Sequence, residues 1–403
     1  MRARRPPIAA RPCLLAVIAS LAVFAVAASP AHAATPSTPA QLKHAATQAV
    51  AAGKAAPALH ALTAALRADP KWKEGLWDLG TLLYEAHDVR GARQAFGRLA
   101  QLDPKHGAPW AMLGLCDFEA RDFGRSLKHL QEGRSLGLPN PNLQAVALYD
   151  EAQDLLMLEQ FPQARHLLRG FALNHRTSPG IVQAFGLAAL HLPVLPAQSG
   201  RVLSARRRRL VDAMGLAVYQ MEARKPLAAQ KAMAAVVHAF PRVPYVQYND
   251  GILLIRTSHL HAAARAFQRE LQVQPRNVPA RLQLAALRVQ SAQYAQAMSL
   301  ARQALRLQAD NFATHYMVGY IAFRQGHFAE AARQLARAKA LAPENSQVRY
   351  TLAQTDLRLH REKAALREER DFRRLERLSS SFRNNGVLPA SVYLHSQPHS
   401  GTP

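Results

Sequence analysis

The chain is poor in cysteine and in acids. Its 403 residues include two cysteines, Cys13 and Cys116, and 27 Asp plus Glu against 51 Lys plus Arg, a formal charge of +24. Two thiols so placed build no disulfide scaffold, and Cys116, between Leu115 and Asp117, reads as a small buried residue. Beyond residues 14–28 no apolar run approaches the roughly 20 residues that span a bilayer. His-Glu-x-x-His, Gly-x-Ser-x-Gly and glycine-rich phosphate loops are missing. The 17 histidines are dispersed, and the nearest pair, His259 and His261, points to different helix faces. No metal, no cofactor and no catalytic residue is therefore expected.

What the chain does have begins at its N-terminus. Arg2, Arg4, Arg5 and Arg11 precede the apolar stretch Leu14 to Ala28, and Ala31-His32-Ala33 supplies a small-x-small cleavage pattern. Residues 1–33 are read as an export signal, which places the protein outside the cytoplasm, in the periplasm of a bacterial-type cell; a retained anchor is the alternative. Cys13 lies before the apolar run, against a lipoprotein. Loss of the four arginines leaves a charge of about +20, attractive to anionic partners over a Debye length.

The strongest signal is a period of 34. Ala229, Ala263, Ala297, Ala331 and Ala365 hold it, as do Pro241, Pro275 and Pro343 with Ala309 in the remaining slot, and Gly251 and Gly319 with Ala285 and Ala353. Earlier in the chain Ala58, Ala92 and Ser126, Gly80 and Gly114, Leu79 and Leu113, and Pro70 and Pro104 keep the same interval. A period of this length with apolar residues at helical spacing means a helix-turn-helix unit stacked in tandem, since no unit buries its apolar face alone. The expected fold is an all-α solenoid of about nine repeat-like units in two arrays, residues 34–176 and 210–360. Between them, 177–209 forms a degenerate, Pro-rich and Arg-rich connection, because the two prolines of Leu192 to Gly200 interrupt a helix. A charged capping helix at 361–378 and an unstructured tail at 379–403, rich in Ser, Asn, Pro and Gly, complete the chain. With almost every residue committed to repeats, no catalytic domain of about 100 residues fits, and an enzyme is not expected.

The run Leu76-Trp77-Asp78-Leu79-Gly80-Thr81-Leu82-Leu83, followed by Ala92, Phe96 and Pro104, resembles the tetratricopeptide repeat pattern, as do Trp110, Leu113 and Gly114, and Gly251 with Ala263, Phe267 and Pro275. The resemblance implies a non-enzymatic scaffold that binds a protein or peptide partner in a groove lined by the first helix of each repeat. It assigns to that groove Tyr245, Tyr248 and Arg256 in one repeat, Tyr316, Tyr320, Phe323 and Arg324 in a later one, and Tyr350 and Arg358 in the last. Tyrosines offer contact area at low entropic cost, and guanidinium groups pair with carboxylates. The Lys and Asn with which members of the family clamp chaperone tails are replaced by Lys43 and Thr47, Trp77 and Thr81, or Ala111 and Leu115, so that ligand is not expected. The alternative partner is an anionic envelope polymer, an acidic polysaccharide or lipopolysaccharide, met by Arg206, Arg207, Arg208 and Arg209. Nucleic acid is not expected.

Overall fold

The computed structural model describes residues 38–384, with side chains through Leu378. The export signal read at 1–33 and the tail beyond Asn384 lie outside these residues. Every regular element among them is helical. The first unit, ending at Val202, contains α1 (Pro39–Ala51), α2 (Ala55–Ala68), α3 (Lys73–Glu85), α4 (Val89–Leu102), α5 (Gly107–Glu119), α6 (Phe123–Ser135), α7 (Pro141–Met157), α8 (Phe161–Leu173), α9 (Pro179–Ala189) and the single turn α10 (Ser199–Val202). The second, beginning at Leu203, contains α11 (Ala205–Glu222), α12 (Pro226–Ala239), α13 (Val246–Arg256), α14 (Leu260–Val273), α15 (Val278–Gln290), α16 (Tyr294–Leu307), α17 (Phe312–Arg324), α18 (Phe328–Leu341), α19 (Ser346–Arg358) and α20 (Glu362–Asn384).

Two stretches differ from the expectation. Arg206 to Arg209 do not lie in a connection: they belong to the first turns of α11, which Ser204 opens by accepting the Arg207 N–H. The last helix does not stop at Leu378 but runs through Asn384, because Ser379 to Asn384 contain no Pro or Gly and the first breakers are Gly386 and Pro389.

Helices pack in consecutive pairs, A then B, and one contact recurs. At Gly80, Gly114, Gly251 and Gly319, on A helices, an added Cβ would lie 2.8, 2.7, 2.6 and 2.8 Å from Phe96, Leu130, Phe267 and Leu335 on the following B helix. All four partners are fully buried. The missing Cβ is thus the space into which the B-helix side chain fits, and it sets how closely the two axes approach. The period-34 alanines Ala58, Ala92, Ala229, Ala263, Ala297 and Ala331 are buried at the same crossing.

Polar contacts repeat with the same period. The side chains of Trp110, Gln247, Arg281, His315 and Arg349 each reach the carbonyl six residues earlier, that of Pro104, Pro241, Pro275, Ala309 and Pro343, at 3.2, 3.3, 2.6, 2.8 and 3.0 Å. Those carbonyls lie just past the end of a B helix, so each contact ties one repeat to the next. Asn277, Asn311 and Asn345 cap α15, α17 and α19, accepting the N–H of Ala280, Ala313 and Val348. One period earlier Val243 has no such side chain. There α13 starts after Tyr245, held at φ 67°, and the orphan N–H groups of Tyr245 and Tyr248 donate to Glu270 on α14 at 2.7 and 3.1 Å. Glu270 stands where the later repeats have Ala304 and Ala338, a carboxylate at a helix N-terminus doing the work of the absent Asn. Burial nevertheless raises its carboxyl above the ordinary value, the backbone N–H groups opposing that shift.

In the first unit α5, α6 and α7 enclose an acidic centre. Asp117 contacts Arg93 Nε and His129 Nδ1, each at 2.6 Å, and Glu151 is held by Arg134 through two nitrogens at 3.1 and 3.2 Å. Asp154 is fully buried and neither carboxyl oxygen has a well-formed hydrogen bond. Burial pushes its carboxyl up to about 8; the nearby Ser126 hydroxyl opposes the shift, and Asp150, Glu151 and Asp117 add to it. Cys116, next to Asp117 in α5, is buried, and burial pushes its thiol up to about 12, which leaves it inert at neutral pH.

Two outcomes follow. On an exposed helix Gly→Ala gains about 1 kcal/mol, but Gly251→Ala is expected to cost about 1–3 kcal/mol by crowding Phe267; Phe267→Leu in the same chain recovers part of that loss, measured by urea unfolding, and simple additivity would contradict the contact. A folded-state carboxyl raised above its unfolded value of about 4 contributes stability fully present below pH 4 and lost as pH rises toward 8. Asp154→Asn removes that loss, about 1.4 kcal/mol per pH unit at most, so the variant gains on wild type between pH 5 and pH 8 in thermal scans, and parallel curves would refute it.

Candidate functional site

The A helices of the second unit carry the tyrosine and arginine column, and the structure separates its members by what already holds them. Tyr245 is the N-cap of α13, partly buried, with its ring edge-on to Tyr248 at 6.4 Å. Tyr248 in turn packs on Phe267 at 5.8 Å. These two rings support the helix crossing as much as they face outward. Arg256 Nη2 lies 3.2 Å from Oε2 of Glu222, one period earlier at the end of α11, so its charge is compensated.

The next A helix contributes Leu282, Val289 and Gln290, and only Gln290 is exposed. On α17 Tyr316 stacks against Tyr320, 5.9 Å between centroids with 11° between planes. Burial pushes its phenol up to about 12, a shift that Thr351 and Gln347 of α19 oppose. Tyr316 therefore joins two A helices and does not stand free. Phe323 is half-buried, 5.8 Å from Phe328.

Arg324 is the centre of the arrangement. Its Nη1 donates to Tyr320 Oη and its Nη2 to Tyr294 Oη, both at 3.1 Å, and the guanidinium carbon lies 5.7 and 5.9 Å from the two ring centroids. The phenol oxygens raise its pKa further. No carboxylate touches it among the described residues. Two neutral rings fix the guanidinium in place without cancelling its charge. Tyr294, at the start of the B helix α16, was not among the sequence candidates; it lies 30 residues before Arg324, outside any single A helix, and only its place at the head of a B helix marks it.

On α19 Tyr350 is 45% and Leu357 49% exposed, with Tyr350 5.4 Å from Phe372 of α20. Arg358 is exposed and makes no ion pair among the described residues. From Glu222 to Arg358 one column at the C-terminal ends of the A helices thus reads acid, paired Arg256, neutral Gln290, then two uncompensated cations. The other proposed basic site is dispersed: four consecutive helical residues are turned about 100° from one to the next, so Arg206 to Arg209 share no face, and Arg206 lies over the Phe240 ring at 6.0 Å.

Among the described residues no cluster of His, Cys, Asp and Glu could hold a metal, and no helix is long and apolar enough to cross a membrane.

Comparison with known proteins agrees with the repeat register. The tetratricopeptide repeat family matches residues 45–106 and 282–346. A curated relative, an N-terminal acetyltransferase A complex subunit-like protein of Schizosaccharomyces pombe, is 29% identical over 117 residues; the match covers 29% of this chain and spans 17% of the relative. Among solved structures, MamA from Desulfovibrio magneticus RS-1 covers 44% of this chain and 98% of its own, with 16% identity and a TM-score of 0.39. A second MamA structure, from MSR-1, covers 42% and 98% at 21% identity and a TM-score of 0.35. Repeats of this type serve as protein-interaction scaffolds. The chain thus carries segments that match the tetratricopeptide repeat family, residues 45–106 and 282–346, within a run of paired helices that keeps a period of 34.

Proposed function

We propose that the protein is a non-enzymatic scaffold of the cell envelope whose second unit binds an acidic peptide or protein segment along the A helices α17 and α19. The observation that carries this reading is the pair of uncompensated cations: Arg324, fixed by Tyr294 and Tyr320, and Arg358, exposed beside Leu357 and in the same helix as Tyr350. A guanidinium already oriented loses little freedom when it meets a carboxylate. Tyr350 and Leu357 supply apolar area next to it, whereas Arg256, satisfied by Glu222, adds little. The export signal read at 1–33 supports a location outside the cytoplasm.

A photoreactive residue at Leu357 in intact cells, followed by mass spectrometry, is expected to capture one acid-rich segment. Arg324→Gln and Arg358→Gln each weaken the purified protein's affinity for that segment about tenfold or more, the worth of a charge-assisted pair, while Arg256→Gln changes it less than about threefold. Equal losses at all three arginines, or none, would sink the reading.

A further inference from the structure

We propose that the outward face of α20 is a docking surface for an anionic lipid bilayer. The orientation of this helix is fixed by its inner face. Ala365 and Glu368 are buried, Phe372 packs on Tyr350, and Glu368 and Asp371 take up Arg349 at 2.8 and 2.7 Å, with Lys339 adding a third contact at 2.7 Å to Glu368. Glu368 and Asp371 are thus taken up by neighbouring helices, and Glu369 pairs with Arg373 at 2.6 Å.

What remains outside is a stripe of one sign. Lys363, Arg367, Arg370 and Arg374 follow the i, i+4, i+7, i+11 pattern of a single helix face, and all four are exposed. They extend over about 16 Å at 1.5 Å per residue. The Nε groups of Arg367 and Arg370 donate only to carbonyls of their own helix, those of Lys363 and Leu366, each at 3.3 Å. Such contacts hold the side chains along the helix and leave their charge uncompensated. No ion pair involves Lys363 or Arg374 among the described residues.

Two leucines border this stripe. Leu366 is 56% and Leu378 47% exposed, one toward each end and within about 60° of the stripe on the helical projection. A soluble polyanion has use for the cations alone. A bilayer surface takes both, since anionic headgroups meet the arginines while the leucines enter the boundary of the acyl region. Charge and apolar exposure on one fixed face therefore select a lipid surface over a chain polymer. The surface is separate from the A-helix column and does not depend on the groove reading.

The test is co-sedimentation of the full chain with vesicles of phosphatidylglycerol and phosphatidylcholine, compared with phosphatidylcholine alone and with dextran sulfate. Binding to the anionic vesicles is expected, weakening as salt rises. Arg367→Gln with Arg370→Gln and Arg374→Gln lowers partitioning on the order of a hundredfold, and Leu366→Ser with Leu378→Ser about tenfold. Circular dichroism of both variants should match wild type, because every altered side chain is exposed. Lack of binding to anionic vesicles, indifference to the arginine changes, or binding to dextran sulfate with no effect of the leucine changes would each overturn the proposal.

Discussion

The seating of one large B-helix side chain on a glycine of the preceding A helix is the contact on which the rest depends. Phe96, Leu130, Phe267 and Leu335 occupy space that any β-carbon at Gly80, Gly114, Gly251 or Gly319 would deny them. Close approach of the two helices brings the buried alanines of the 34-residue register into the same crossing, and dispersion contacts there are collectively large. The small residue in this slot, glycine in α3, α5, α13 and α17 and alanine at Ala285 and Ala353, keeps the helix pairs close enough for a column of side chains on neighbouring repeats to line up.

Polar groups then fix what packing leaves free. A donor near the start of several A helices holds the carbonyl that closes the previous B helix, and Asn or, in one repeat, Glu270 satisfies the first N–H groups. Because these groups face the repeat junctions, the outer face of the A helices stays available. Its electrostatics are decided by pairing. Arg256 is cancelled by Glu222, whereas Arg324 is oriented by phenols that carry no charge. A scaffold of this kind concentrates recognition in a few residues and uses the others as spacing.

Much of the fold could be read from the sequence because the register depends on residue types with a single use. A glycine inside a helix, an alanine at a crossing and a proline after a helix each have one evident packing reason, and three of them at a common interval leave few alternatives. The site was legible only in part. Tyr316 and Arg324 stand where the register puts them, but that the first lies close to Gln347 and Thr351 and the second is bonded to Tyr294 depends on side chains of other helices. The substitution of Glu270 for a missing Asn cap links residues 22 to 25 apart, too far for any local motif. The turns closing the A helices were hidden for another reason: His87, Arg121, Arg224, Ser258, Ala292 and His360 take φ of 55–63° although none is glycine, so composition does not mark them. Both a polar column, Gln247, Arg281, His315 and Arg349, and the caps Asn277, Asn311 and Asn345 repeat at 34 and would have sharpened the reading.

Hydrogen exchange followed by mass spectrometry on the intact chain tests the central role of the glycine contact most directly. The amides of the A helices around Gly114, Gly251 and Gly319, and of the B helices around Leu130, Phe267 and Leu335, should exchange slowest within their units, since they open only when a helix pair separates. Exchange at those segments as fast as at the exposed outer turns of α20 would show that the helix pairs are held by something else.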